Sequence, residues 1–258
     1  MSLVEIERIR DDATTRVQRI LRGEYREVPY YVIQLQTDAT WLGLGTESSV
    51  DEAREMVRLS NLHVVELLAL ARSRERPRGN ASPWGVVETR TTYAPGIVSV
   101  TTAEHGGFLL DQDANAGVPE PLRNANGVYE EDSEWAKVAF AYPDLFTAYE
   151  RAIARRILRN DEPDAYTALT GEVIPLEESH TLRERAFYAE NAQRYIGVSA
   201  CNHDADTLVV TAVRGGARAR QAGTAGPEKR FRVSKDEYES QRGFGFVIDS
   251  SRHSEMTN

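Results

Sequence analysis

The sequence predicts an α+β fold, and three observations carry that expectation. Apolar runs of strand length alternate irregularly with stretches of helical spacing. No regular strand–helix–strand repeat appears, so a doubly wound parallel sheet is disfavoured. Gly, Pro, Asn and Asp cluster between the runs, as they do between short strands and helices. The chain has 258 residues, 41% hydrophobic and 28% charged, enough to bury a core without covalent staples. A single cysteine, Cys201, excludes an internal disulfide and a multi-cysteine zinc cluster.

Taken in order, Leu3, Ile6, Ile9, Ala13, Val17, Ile20 and Leu21 fall near helical spacing, and the pattern predicts a helix over residues 3–22 that stops at Gly23. Residues 28–36, rich in β-branched and aromatic side chains, predict a strand, with 41–45 as its hairpin partner. Ser49 and Glu52 form a capping-box pattern that opens a helix at Val50, and helical spacing continues to about Ser73. Residues 72–83 are polar and carry Pro77, Gly79 and Pro83, so a linker is expected over 76–83 between an N-terminal unit (1–75) and a central unit (84–160). In the central unit, 86–92 and 96–102 predict strands joined by a turn at Ala94-Pro95-Gly96, followed by a short apolar piece at 108–110. Residues 111–127 read as a loop, 130–142 as a helix, and 145–158 as the next helix beyond Pro143. The C-terminal unit (161–249) predicts a helix over 179–194 capped by Ser179, and strands at 195–200 and 207–213. A mobile basic loop follows at 214–230, then a strand at 231–233, a helix capped by Ser234 with Glu237, and a strand at 244–248. A polar tail occupies 250–258.

Charge is unevenly spread. The net charge is −9, which disfavours non-specific nucleic-acid binding by the whole surface. Residues 82–146 hold ten acidic and three basic residues, a net of −7, whereas 147–160 is +3 and 214–232 is +5. A density of −7 over this segment is low for imitation of a DNA phosphate track. No apolar run reaches the roughly 20 residues of a membrane span, and the first residues lack the basic and apolar regions of a secretory leader. A cytoplasmic location without membrane contact is expected.

The segment least like ordinary scaffold is Thr101-Thr102-Ala103-Glu104-His105-Gly106-Gly107-Phe108. Adjacent glycines permit close approach and leave backbone N–H groups available to an anion. A histidine there can carry a proton near neutral pH. Further on, Glu130, Glu131, Asp132 and Glu134 crowd what reads as a helix start, where the macrodipole favours carboxylates. His105 with Glu130, Glu131 or Asp132 would suit acid–base work or a hard metal ion. The nucleophile elbow, the zincin helix, the phosphate-binding loop and the dinucleotide fingerprint are all absent from the sequence. Cys201, His203 and His180 with Glu177 and Glu178 are a poor match to zinc-ligand spacing, and a buried cysteine beside a hairpin turn accounts for Cys201 better. No cofactor or resident metal is expected.

The run from Pro83-Trp84-Gly85 through Gly96-Ile97-Val98, Thr102-Ala103-Glu104-His105-Gly106-Gly107, Tyr129-Glu130-Glu131-Asp132 and Trp135 to Tyr142-Pro143-Asp144-Leu145-Phe146 resembles an uncharacterised domain family over residues 82–150. Its members are encoded on plasmids, integrated elements and phages. The resemblance supplies no catalytic residues. It implies a phage or mobile-element accessory protein that binds a host macromolecule, of the kind that inhibits a bacterial defence system (anti-restriction or anti-CRISPR). The host protein would be met at Gly106, Gly107, Glu130, Glu131, Asp132 and Glu134. The alternatives are a hydrolase or nuclease-like enzyme using His105 with Glu130, Glu131 or Asp132, and a DNA-binding accessory protein using Arg214, Arg218, Arg220, Lys229 and Arg230. The oligomeric state stays open.

Overall fold

The computed structural model describes all residues except 1, 2, 12–15, 26, 27, 38, 39, 78, 242, 257 and 258. Helices and antiparallel sheets are interspersed, an α+β fold. The chain divides into two compact units, Met1–Arg159 and Asn160–Asn258.

The first unit opens with a four-stranded antiparallel meander, β1 (Val4–Asp11), β2 (Arg16–Tyr25), β3 (Val28–Gln36) and β4 (Trp41–Glu47). The helix expected over 3–22 is therefore two strands; residues 12–15 of that span lie outside the described residues. A register shift between Glu5 and Glu7 explains the misleading spacing. A bulge resets the two-residue alternation, so Ile6 and Ile9 fall three apart as on a helix. The β-branched residues Val4, Ile6, Ile9, Val17 and Ile20 are better suited to a pleated surface than to a helix. Helix α1 (Val50–Ala69) covers one face of the meander and packs Ala53 and Val57 on Ile20 and Ile33. Its capping box is present as expected, with Ser49 accepting from the Glu52 amide and Glu52 from the Ser49 amide.

After α1 the chain enters a second antiparallel sheet. Its strands in chain order are β5 (Ser73–Glu75), β8 (Thr89–Ala94), β9 (Ile97–Thr101), β10 (Gly106–Leu110) and β11 (Val128–Glu130), in the spatial order β11-β10-β9-β8-β5. A small ribbon, β6 (Ala81–Ser82) with β7 (Gly85–Val86), precedes β8. The polar stretch after α1 thus begins with a strand, Ser73–Glu75, paired to Arg90–Thr92 of the central sheet. Residues 111–127 are not a plain loop. Asp111 caps a short helix, α2 (Gln112–Gly117), by accepting from the Ala114 amide, and a 3-10 turn follows at Glu120–Leu122. Beyond β11 come α3 (Trp135–Ala141) and α4 (Ala148–Asp161). The rings of Tyr93, Phe108, Trp135 and Phe146 gather over the sheet.

A charged hub ties these parts of the first unit together. Arg72 donates to both oxygens of Glu150 at 2.9 and 2.7 Å and to the Leu145 carbonyl at 2.7 Å, with its guanidinium 4.2 Å over the Tyr93 ring. Glu66 accepts from the Ala148 amide, and His63 Nδ1 lies 2.7 Å from the Thr147 hydroxyl. Burial alone would raise the Glu150 carboxyl, but the Arg72 and Thr147 donors outweigh it and hold Glu150 below the ordinary carboxylate range.

The second unit carries α5 (Pro163–Thr170) and α6 (His180–Glu190), the latter capped by Ser179 as expected. Its sheet runs β12 (Tyr195–Asn202), β13 (Thr207–Arg214), β14 (Lys229–Ser234) and β15 (Ser254–Glu255) in that order, all antiparallel. Between β13 and β14 lies α7 (Gly216–Gln221), so the expected mobile arm contains a helix. Ser234 begins α8 (Lys235–Ser240) without the side-chain cap bond expected of it. Residues 244–248 touch the sheet by a single bridge, Ile196 to Val247, rather than as a strand. Phe246 and Ile248 nonetheless complete the core with Val210, Ala212, Phe231 and Val233. The expected tail supplies β15 and the buried His253, whose Nε2 is 3.2 Å from Glu237.

Candidate functional site

The acidic residues near His105 do not begin a helix. Glu130 ends β11, Glu131 and Asp132 follow in a turn, and α3 starts only at Trp135. The macrodipole account of these carboxylates therefore falls away. Each backbone amide of the run is taken by another partner. The Glu130 amide donates to Glu134, the Glu131 amide to the Gly106 carbonyl, and the Asp132 amide to the Glu130 carboxylate.

This turn lies beside the one joining β9 to β10. There Thr102 donates from both its amide and its hydroxyl to the His105 carbonyl, at 2.8 Å each, and the His105 amide donates back to the Thr102 hydroxyl. His105 is thus fixed at a closed hairpin corner next to the acidic turn. One ligand-capable atom from each of His105, Glu130 and Glu131 lies within 4.8 Å of the others. His105, Glu131 and Asp132 are exposed and Glu130 is half-buried. Among the described residues, no cation pairs with Glu104, Glu130, Glu131 or Asp132.

The glycine pair has a different role from the one expected. Gly106 and Gly107 are buried inside β10, paired to Thr101 and Val100 of β9. A Cβ on Gly106 would lie 2.5 Å from a Glu131 oxygen. Gly107 has φ +153°, and a Cβ there would run into the Tyr129 carbonyl and the Trp84 ring. The close approach these glycines allow is to Glu131, Tyr129 and Trp84 of the same chain, and both glycines are buried. Glu134 also works inward, accepting from the Asn124 side chain at 2.9 Å, the Glu130 amide and Lys137. Burial pushes its carboxyl up, and these donors more than offset that and leave it below the ordinary value.

The other sequence candidates scatter. Cys201 is exposed rather than buried, and His203 lies 3.2 Å from Arg232 while His180 meets Phe244 edge to face. Among the described residues these do not form a metal-ligating group with Glu177 or Glu178. The basic residues of 214–230 do not form one arm. Arg218 and Arg220 sit on α7, with Arg220 paired to Glu228 at 3.1 Å. Lys229 and Arg230 are neighbours on a strand and so point to opposite faces. Arg194 and Tyr195, which no sequence motif marks, line a cleft with Arg214 and Lys229.

A family model described as a domain of unknown function (DUF7007) matches residues 77–192. The match takes in the whole acidic corner and extends through α6. No curated protein and no solved structure matches the chain. No helix among the described residues is long and apolar enough to cross a membrane.

Proposed function

We propose that the chain is an accessory binding protein whose contact surface is the corner formed by Glu104, His105, Glu130, Glu131 and Asp132. A host protein with a basic surface is the partner that this chemistry suits, and a component of a bacterial defence system is the class we favour. The observation that carries the reading is a set of carboxylates, mostly exposed, held on a hydrogen-bonded frame and paired with no cation among the described residues. Charge left open in this way steers association and selects a partner of opposite sign. The test uses the purified chain as bait in host lysate, beside a Glu130→Lys, Glu131→Lys, Asp132→Lys variant that remains folded. A stoichiometric partner retained by the first and lost by the second supports the proposal; equal retention by both refutes it.

A second reading, catalysis, is favoured by the proximity of His105 to two carboxylates. A histidine with two acids at this spacing would share a proton or hold a divalent cation during hydrolysis. It requires saturable stabilisation by Mn²⁺ in a thermal melt, abolished by His105→Ala. A melting temperature indifferent to the ion removes the metal-assisted form of this reading.

A further inference from the structure

A cleft of about 340 Å³ lies in the second unit, at the end of its sheet. Its walls include Arg194, Tyr195, Arg214, Lys229, Ile248 and Asp249. The register puts Arg214 opposite Tyr195. The Arg214 guanidinium and the Lys229 ammonium stand 5.6 and 5.4 Å from the centroid of the same Tyr195 ring. Two cations at one ring repel each other unless an anion joins them.

The lining carboxylates do not fully answer that charge. Asp249 is turned to the Ser251 hydroxyl at 2.6 Å and to Arg252 at 2.9 Å, and those donors hold its carboxyl far below the usual range. Glu255 is bonded to Lys229 at 2.7 Å. Among the described residues, neither Arg194 nor Arg214 has a carboxylate partner; Arg194 reaches only the Asn191 side-chain oxygen, at 3.3 Å. Two guanidinium groups, each a planar fork of donors, remain at a concave wall backed by Tyr195 and Ile248. Guanidinium forks match phosphate oxygens in geometry and charge. The cleft volume falls at the lower end of the range of small-molecule sites.

We propose that this cleft binds the phosphate group of a small phosphomonoester, held by Arg194 and Arg214 with the body of the ligand against Tyr195 and Ile248. The site lies outside the acidic corner and does not depend on the role given to it. Arg218 and Arg220 of α7 take no part.

The test is calorimetric titration of the full chain with adenosine monophosphate and ribose 5-phosphate, with adenosine and ribose as phosphate-free controls. Both phosphate compounds should bind and neither control should. Losing a hydrogen bond to a charged group is expected to weaken binding about 10-fold or more, so Arg214→Gln and Arg194→Gln should each do so. Arg230→Gln, on the other face of β14, should change little. Circular dichroism establishes that the variants are folded, and Arg194→Gln serves as the independent variant should loss of the Arg214 ring contact disturb the sheet. The proposal is overturned if neither phosphate compound binds at millimolar concentration, if the controls bind equally, or if both folded arginine variants retain full affinity. It is also overturned if a single-stranded oligonucleotide binds tightly and adenosine monophosphate does not compete. That last result would assign the cations to nucleic acid.

Discussion

The Arg72–Glu150 hub and the His105 corner are both rich in charge, and they treat it in opposite ways. At the hub the Arg72 and Glu150 side chains are only 12% and 19% exposed, and the two charges meet each other through two hydrogen bonds. At the corner Glu104, Glu131 and Asp132 are exposed, and the hydrogen bonds, one of them to the Glu130 carboxylate, shape the backbone beneath them. The lesson is to sort charges by partnership before assigning roles. A buried ion pair is architecture, because removing either half leaves the other stranded in a poor solvent. An exposed set on a rigid frame costs the fold little to keep, and is available to a partner.

Breaking the hub should produce the largest effect. Arg72→Ala strands Glu150, uncovers the Leu145 carbonyl and empties the space over Tyr93. Loss of one partner of a buried pair costs about 3–5 kcal/mol, to be read as a fall in the denaturation midpoint. The hub also predicts acid sensitivity. The folded chain holds Glu150 below its ordinary value, so the unfolded chain takes up the proton first as pH falls. The stabilisation is present above the ordinary carboxylate value and is lost as pH drops through the lower folded value. Glu150→Gln should flatten that part of the stability–pH curve; a curve unchanged in shape would remove Glu150 from the account.

The frame under the corner should show a smaller loss. Gly107→Ala places a methyl against the Tyr129 carbonyl and the Trp84 ring, at a backbone angle that L residues rarely adopt. Overpacking costs about 1–3 kcal/mol. If Gly107→Ala melts like the parent, the close packing of Tyr129 and Trp84 on Gly107 does not hold the frame.

These contrasts mark what the amino-acid sequence could reveal. The Ser49–Glu52 capping box was legible because its geometry is local, and the Ser179 cap for the same reason. The first two strands were not, because a bulge near Ile6 disguises two-residue alternation as helical spacing. Glu130 to Glu134 looked like a helix start because acids favour that place. What makes Glu130 a strand residue is its pairing opposite Gly107, a partner more than twenty positions away. His105 and the acids were identifiable as residue types, and only pairing across β10 and β11 brings them together. Trp84 and Gly107 stood out in the chain for a reason that only the fold supplies: the ring covers the glycine. Arg194 and Tyr195 carry no motif, and the cleft they line exists only once β12, β13 and residues 248–250 meet.

The corner carboxylates should give the smallest stability change and the largest change in binding. Glu131 and Asp132 are exposed, and their carboxylates take no hydrogen bond or ion pair among the described residues, so reversing them to lysine removes no such bond. Reversing Glu130 removes one short bond, from the Asp132 amide to Glu130. Surface substitutions away from such features fall within about 0.5 kcal/mol, so each of Glu131→Lys and Asp132→Lys should melt close to the parent, with Glu130→Lys somewhat lower. Relief of repulsion among like charges works in the opposite direction for each single reversal and is largest at low salt. A loss of partner binding at unchanged stability separates recognition from folding. A steep loss of stability at Glu131 or Asp132 would place those charges with the hub, as parts of the architecture, and the acidic corner would cease to be a candidate surface.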